Sequence, residues 1–171
     1  DAFDNSTGQN WGPSLTAGGS PGTANSIAAG NIAPVIREVA HFPVVPKSSD
    51  PVYVTAEVTD DHASPLAVTA NWRVDGGSTF TAVTMADDGS HGDVLPGDGI
   101  YGAILPLQPG GTIVEFHVSA SDGSLSRNWP APLLGDDGAL TPSQAANCLY
   151  QVDDTVYSAA MPLYRIVMKA A

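Results

Sequence analysis

The chain has almost no sulfur, little positive charge and no long apolar run. Its 171 residues include one cysteine, Cys148. No disulfide framework can form within the chain, and Cys148 reads as a small buried hydrophobe. Six Lys and Arg, scattered singly, face 18 Asp and Glu, which leaves a formal charge of −12. Without a basic patch to neutralise phosphates, nucleic acid is excluded as a partner and an anionic membrane is a poor one. No stretch approaches the roughly eighteen consecutive apolar residues of a membrane-crossing helix, so no membrane insertion is expected. Neither H-E-x-x-H nor G-x-x-x-x-G-K-[ST] occurs, and His41, His62, His91 and His117 are scattered. Zinc hydrolysis and P-loop phosphate chemistry therefore have no motif to stand on.

What is abundant points to strands and turns. The 18 Gly and 14 Pro break up any long helix. The acids are nearly all Asp, with only Glu38, Glu57 and Glu115 as exceptions. Asp favours turns and metal loops, whereas solvated helices favour Glu.

Residues 1–31 are mostly Gly, Ser, Thr, Ala, Asn and Pro, with Phe3, Trp11 and Leu15 as apolar anchors, and read as a linker or the tail of a preceding domain. They contain Gly18-Gly19-Ser20-Pro21-Gly22, a formal match to the G-x-S-x-G nucleophile elbow. The residue after that serine donates a backbone N–H to the oxyanion, and Pro21 has none, so the pattern excludes a catalytic Ser20.

From residue 35 the texture changes to period-two runs. Val52, Val54, Ala56 and Val58 share one face of their run, as do Val68, Ala70, Trp72 and Val74 of the next and Val114, Phe116, Val118 and Ala120 of a third. Alternation places Glu115, His117 and Ser119 on the outward face. Weaker strands are expected at 35–41, 79–85, 100–105 and 148–152, and one helical turn at 141–146 behind Thr141-Pro142. About seven short strands with turn signals between them predict an all-β, antiparallel sandwich of the immunoglobulin or fibronectin-III type. The sandwich is expected to span 32–155, with extended terminal segments and a C-terminal strand or the start of a further domain at 156–171. Val54, Trp72, Phe116 and Val118 are its expected core.

The stretch with most chemistry is MADDGSHGDVLPGDGIYGA, residues 85–103. Asp87, Asp88, Asp93 and Asp98 fall close together with Gly89, Gly92, Gly97 and Gly99 between them. Carboxylates this close repel one another unless splayed into solvent or gathered round a cation, and hard oxygen donors without cysteine select calcium. The expected set is Asp88, Asp93 and Asp98, with Asp87 assisting. The alternative is that Asp-Gly pairs simply make good turns between two strands.

Three phrases resemble known domains. Trp11-Gly12-Pro13-Ser14-Leu15, followed by Gly22-Thr23-Ala24-Asn25, resembles the closing stretch of bacterial lamin-tail domains. The 85–103 loop resembles a hairpin of immunoglobulin-like modules in bacterial secreted proteins. Asn147 to Asp154, then Pro162 to Met168, is similar to the opening of a spore-coat-protein-H-type kinase domain. The resemblance implies a sandwich between these neighbours, and no kinase residue can be carried onto the chain. A chain that begins with Asp1 is expected to be a processed piece, and secretion to the extracellular space or cell surface is its expected setting. The expectation is a non-catalytic structural or adhesive module whose partners are neighbouring domains or identical subunits. Two alternatives stand beside it. One is a carbohydrate-binding module using Trp11, Tyr101 and Trp129, the last in a loop-like RNWPAP setting; the other is a filament subunit donating a strand such as YRIVM.

Overall fold

The computed structural model describes residues 8–62, 65–132, 144, 146–158 and 164–169. Eight strands form two antiparallel sheets: β1 (Val35–Phe42), β2 (Val52–Thr59), β3 (Ala67–Val74), β4 (Thr81–Met85), β5 (Ile100–Leu105), β6 (Ile113–Ser121), β7 (Ser126–Trp129) and β8 (Cys148–Gln151). The first sheet runs β1-β2-β5 and the second β4-β3-β6-β7, with β8 on the same edge of β6 as β7. The expected β-sandwich is what the chain forms. Relative to the constant-type immunoglobulin partition, the fourth strand lies on the second sheet.

The period-two runs supply the inner faces. Val54, Ala56, Val68, Ala70, Val114, Phe116, Val118 and Ala120 are all at most 1% exposed and form one cluster with Ile36, Leu105 and Tyr150. Phe116 lies edge-on to His41 of the opposite sheet, with centroids 5.9 Å apart, and His41 stacks on Tyr150 at 5.2 Å. Burial lowers the His41 pKa, so the ring packs as a neutral aromatic.

In β1 the register shifts between Arg37 and Ala40, so Glu38 and Val39 together oppose one residue of β2. This is a β-bulge, and Glu38 adopts φ 47°, in the left-handed region. Without it Glu38 and Ala40 would follow Ile36 inward. With it Val39 and His41 take the inner face. Gln9 protects the edge of this strand: its side-chain amide donates to Ile36 O at 2.6 Å, and its carbonyl accepts from Ile36 N at 3.1 Å.

The structure corrects several expectations. The four-residue β7 was not anticipated, because Ser126-Arg127-Asn128-Trp129 shows no apolar alternation, and Trp129 is half-buried against the core instead of sitting in an exposed loop. Trp72 is only half-buried and Val74 is 43% exposed, since β3 runs past the covered part of the sheet. Residues 79–80 precede β4. The helical turn expected at 141–146 lies largely outside the described residues. Residues 164–169 belong to neither sheet.

The largest correction concerns β6. Glu115 is 0% exposed and His117 7%, although alternation put both in solvent. Both edges of β6 are paired, to β3 on one side and to β7 and β8 on the other, and its outer face is covered as well. Arg73 Nε and Nη2 donate to the two Glu115 oxygens at 3.3 and 3.2 Å, Asn147 donates at 2.8 Å, and Lys169 Nζ lies 2.9 Å away. Phe80 lies under the Arg73 guanidinium at 4.2 Å and edge-on to His117 at 4.7 Å. Burial alone would raise the Glu115 pKa, but the donors from Lys169, Arg73 and Asn147 outweigh it and hold the carboxyl at about 2.

Three outcomes are expected. Phe116→Ala should cost about 3–5 kcal/mol in urea unfolding. The Tyr150 hydroxyl is buried without a partner among the described residues. Tyr150→Phe should therefore be neutral or stabilising, by up to about 1 kcal/mol, and a clear loss would reveal a partner for the hydroxyl. Because the Glu115 pKa is depressed in the folded state, its contribution is present above pH ~4.5 and is lost as pH falls towards ~2, by about 3 kcal/mol at most. Glu115→Gln should flatten that part of a stability-against-pH curve.

Candidate functional site

The aspartate hairpin is anchored where the two sheets meet. Past β4, Ala86 exchanges two backbone hydrogen bonds with Gly102 of β5, at 2.9 and 2.8 Å, so the residues that follow start from a fixed point. The loop then folds over the outer face of β2 and β5. A Cβ on Gly92 would lie 2.9 Å from Tyr53 Cβ, and one on Gly102 would lie 2.5 Å from the His91 carbonyl oxygen. Gly92 also has φ 95°, so the approach needs glycine on both counts.

Inside the hairpin, carboxylates take the place of a strand ladder. Asp87 Oδ1 accepts from Gly97 N at 2.6 Å and Asp98 N at 3.3 Å, while Oδ2 accepts from Gly99 N at 3.0 Å. Asp93, 4% exposed, accepts from Gly89 N at 2.6 Å and Leu95 N at 3.2 Å. Asp98 accepts from Ile100 N at 2.9 Å. Backbone amides that no strand partner satisfies thus bond to ionised acceptors, which are stronger than neutral ones.

Asp87, Asp93 and Asp98 each bring a carboxylate oxygen within 4.8 Å of the other two. The convergent set differs from the expected one, with Asp87 a full member and Asp88 outside it. Asp88 accepts from Ser90 N at 2.9 Å and faces His91 Nδ1 at 3.3 Å, an exposed local turn. Asp87 follows directly on the bridge at Ala86 and bonds across the hairpin, whereas Asp88 lies in the bend beyond it. The donor set is hard and anionic, and suits calcium. Six to eight oxygens are usual for that ion, so water or carbonyls would complete the shell.

A second group escaped the sequence reading. Asp60, Asp61 and His62 likewise place ligand atoms within 4.8 Å of one another. Asp61, with a side chain 2% exposed, accepts from Ile32 N at 3.3 Å and pairs with His62 Nδ1 at 3.0 Å. Asp122 accepts from Asn31 Nδ2 at 2.9 Å. These acids brace the chain as it arrives at β1.

Ser20 lies with Trp11, Gly12, Ser14, Gly19, Pro21, Thr23 and Asn25 in an open groove of about 440 Å³, with no histidine or carboxylate in its lining. The groove offers no base to a serine nucleophile. Trp11 is 71% exposed there, whereas Tyr101 is half-buried and its pKa is raised by burial and by the charge of Asp87. No protein-family model matches the chain, and a search of curated proteins finds no match either.

Asp87→Ala should cost about 1–3 kcal/mol by orphaning amides across the hairpin. Asp88→Ala should stay within about 0.5 kcal/mol, as exposed local turns do. Equal effects in urea unfolding would refute the division of roles.

Proposed function

We propose that the chain is a non-catalytic spacer module that holds neighbouring parts of an extracellular or cell-surface protein a fixed distance apart. The observation that carries this reading is that the chain enters β1 at one end of the sandwich and leaves β8 at the other. Asn31 and Ile32 are tied to Asp122 and Asp61, at the ends of β6 and β2, just before Val35 pairs with Thr59. At the opposite end Val152 N donates to Thr112 O at 2.9 Å, Asp153 N to Pro46 O at 2.8 Å, and Ser48 N to Asp154 Oδ1 at 2.8 Å. Between them lie eight-residue strands, about 26 Å at ~3.3 Å per residue. Hydrogen bonds to both terminal segments make the rise a fixed one.

The lamin-tail and kinase-like resemblances of the two ends fit a module between larger domains, and belong to this proposal. So does calcium, held by Asp87, Asp93 and Asp98, as a stiffener of the hairpin. If it binds, calcium at about a hundred times its Kd should add roughly 2.7 kcal/mol and raise Tm, with Asp98→Asn removing the gain. A Tm indifferent to calcium and chelator would leave the hairpin closed by its amides alone.

A second reading has an observation of its own. An exposed Trp11 beside Ser14, Ser20, Thr23 and Asn25 combines an aromatic face with hydroxyls and an amide, the groups that bind sugar rings. A glycan array giving hits that Trp11→Ala abolishes would support a carbohydrate-binding role, and an array without hits would dismiss it.

Spin labels at Gly30→Cys and Thr155→Cys test the spacer directly. Gly30 has open space around it, and burial pushes the Cys148 thiol up to about 11, which keeps it slow to label. A narrow distance distribution between about 25 and 40 Å is expected from the strand length. One centred below about 20 Å, or broad, would overturn the reading.

A further inference from the structure

Residues 164–169 invert the usual arrangement of a segment on a protein surface. Tyr164, Ile166 and Met168 point outward and are 89%, 84% and 69% exposed. Arg165 and Lys169, two of the chain's six basic residues, reach acceptors on the sandwich. Arg165 pairs with Asp153, bonds the Tyr157 hydroxyl and donates to Gln151 Oε1 at 3.4 Å. Lys169 reaches the buried Glu115 at 2.9 Å. The segment spans β8 and reaches β6, yet belongs to neither sheet.

Apolar burial normally docks such a segment, and here it is largely unused. The attachment rests on two ion pairs, one near each end, on the acidic body of a chain at −12. Their acceptors are shaped for them. Hydrogen bonds from the Tyr157 hydroxyl, from Thr155 and from Arg165 hold the Asp153 carboxyl well below the usual carboxylate range. Glu115 keeps Arg73 and Asn147 as partners with or without Lys169. The Glu115 end can therefore open without orphaning a buried charge. The Asp153 side chain is 13% exposed and that of Arg165 21%, within reach of mobile ions.

We propose that residues 164–169 are an electrostatically latched strap, docked on the second sheet by Arg165–Asp153 and Lys169–Glu115 and released when those pairs are screened or removed. Docked, the strap carries the chain from Asp153 back towards Glu115 over the second sheet. Released, it frees that path and leaves the sandwich folded. The Debye length falls from ~30 Å at 0.01 M salt to ~3 Å at 1 M, so ionic strength sets the balance. The proposal does not depend on the spacer reading, since the two ends of the sandwich lie apart whichever state the strap takes.

Trypsin reads the latch, because Arg165 can enter the protease only after leaving Asp153. Cleavage after Arg165 would be followed by mass spectrometry on the whole chain at 20 mM and 500 mM NaCl. Rates would be normalised to a free peptide of residues 157–171, which removes the effect of salt on the protease. We expect cleavage to quicken about tenfold between the two salts in the native protein. Asp153→Asn should be fast at both, and Lys169→Gln intermediate at low salt, with circular dichroism showing strand content unchanged in each. Normalised rates independent of salt, or equal in the native protein and in both variants, would overturn the latch.

Discussion

The fold depends on β6 being buried from every side. Its inner residues Val114, Phe116, Val118 and Ala120 fill the space between the sheets, and its outer residues Glu115 and His117 are covered as well. A strand paired along both edges and packed on both faces cannot be removed without dissolving the second sheet. The outer face is filled by polar groups, most of them hydrogen-bonded to one another, while His117 Nδ1 is buried without a partner among the described residues. Asn71 donates to Ser119 and Ser119 to Asn128, while Arg73, Asn147 and Lys169 close on Glu115. A lone carboxylate at 0% exposure would be costly, and three partners make it a junction between β3, β6 and the segments on either side of β8.

The aspartate hairpin applies the same physics to a turn. Its amides have no strand ladder, and its carboxylates accept from them. The result is a closed loop lying on Tyr53 and Thr55 with three carboxylate oxygens within 4.8 Å of one another. The Asp61 and Asp122 braces hold the chain at one end of the sandwich and the Pro46–Asp153 contact holds it at the other. That distribution is in keeping with the proposed spacer role.

How much of this was legible in the sequence follows from what alternation can report. β2, β3 and β6 were plain because apolar residues fall on every second position, and the sandwich followed from them. β7 was hidden because Arg127 and Asn128 are held by hydrogen bonds to Gln9, Ala33, Ser119 and Gln144, not by apolar burial. The bulge at Glu38 left no trace, since nothing in V-I-R-E-V-A-H marks a left-handed residue. Glu115 misled because alternation names a face without saying what covers it, and here Asn147 and Lys169 come from far along the chain. In the hairpin the acid cluster was evident, but which of Asp87 and Asp88 points inward is settled only by the bridge at Ala86.

The central claim is that the sandwich is a single rigid unit connecting its two ends. Pulling on the folded chain between residues 34 and 152 in a force spectrometer tests it most directly. The account requires one cooperative rupture releasing about 118 residues, or roughly 400 Å of contour at 3.3–3.6 Å per residue. Stepwise lengthening at low force, with β1 or β8 peeling away before the rest, would contradict it.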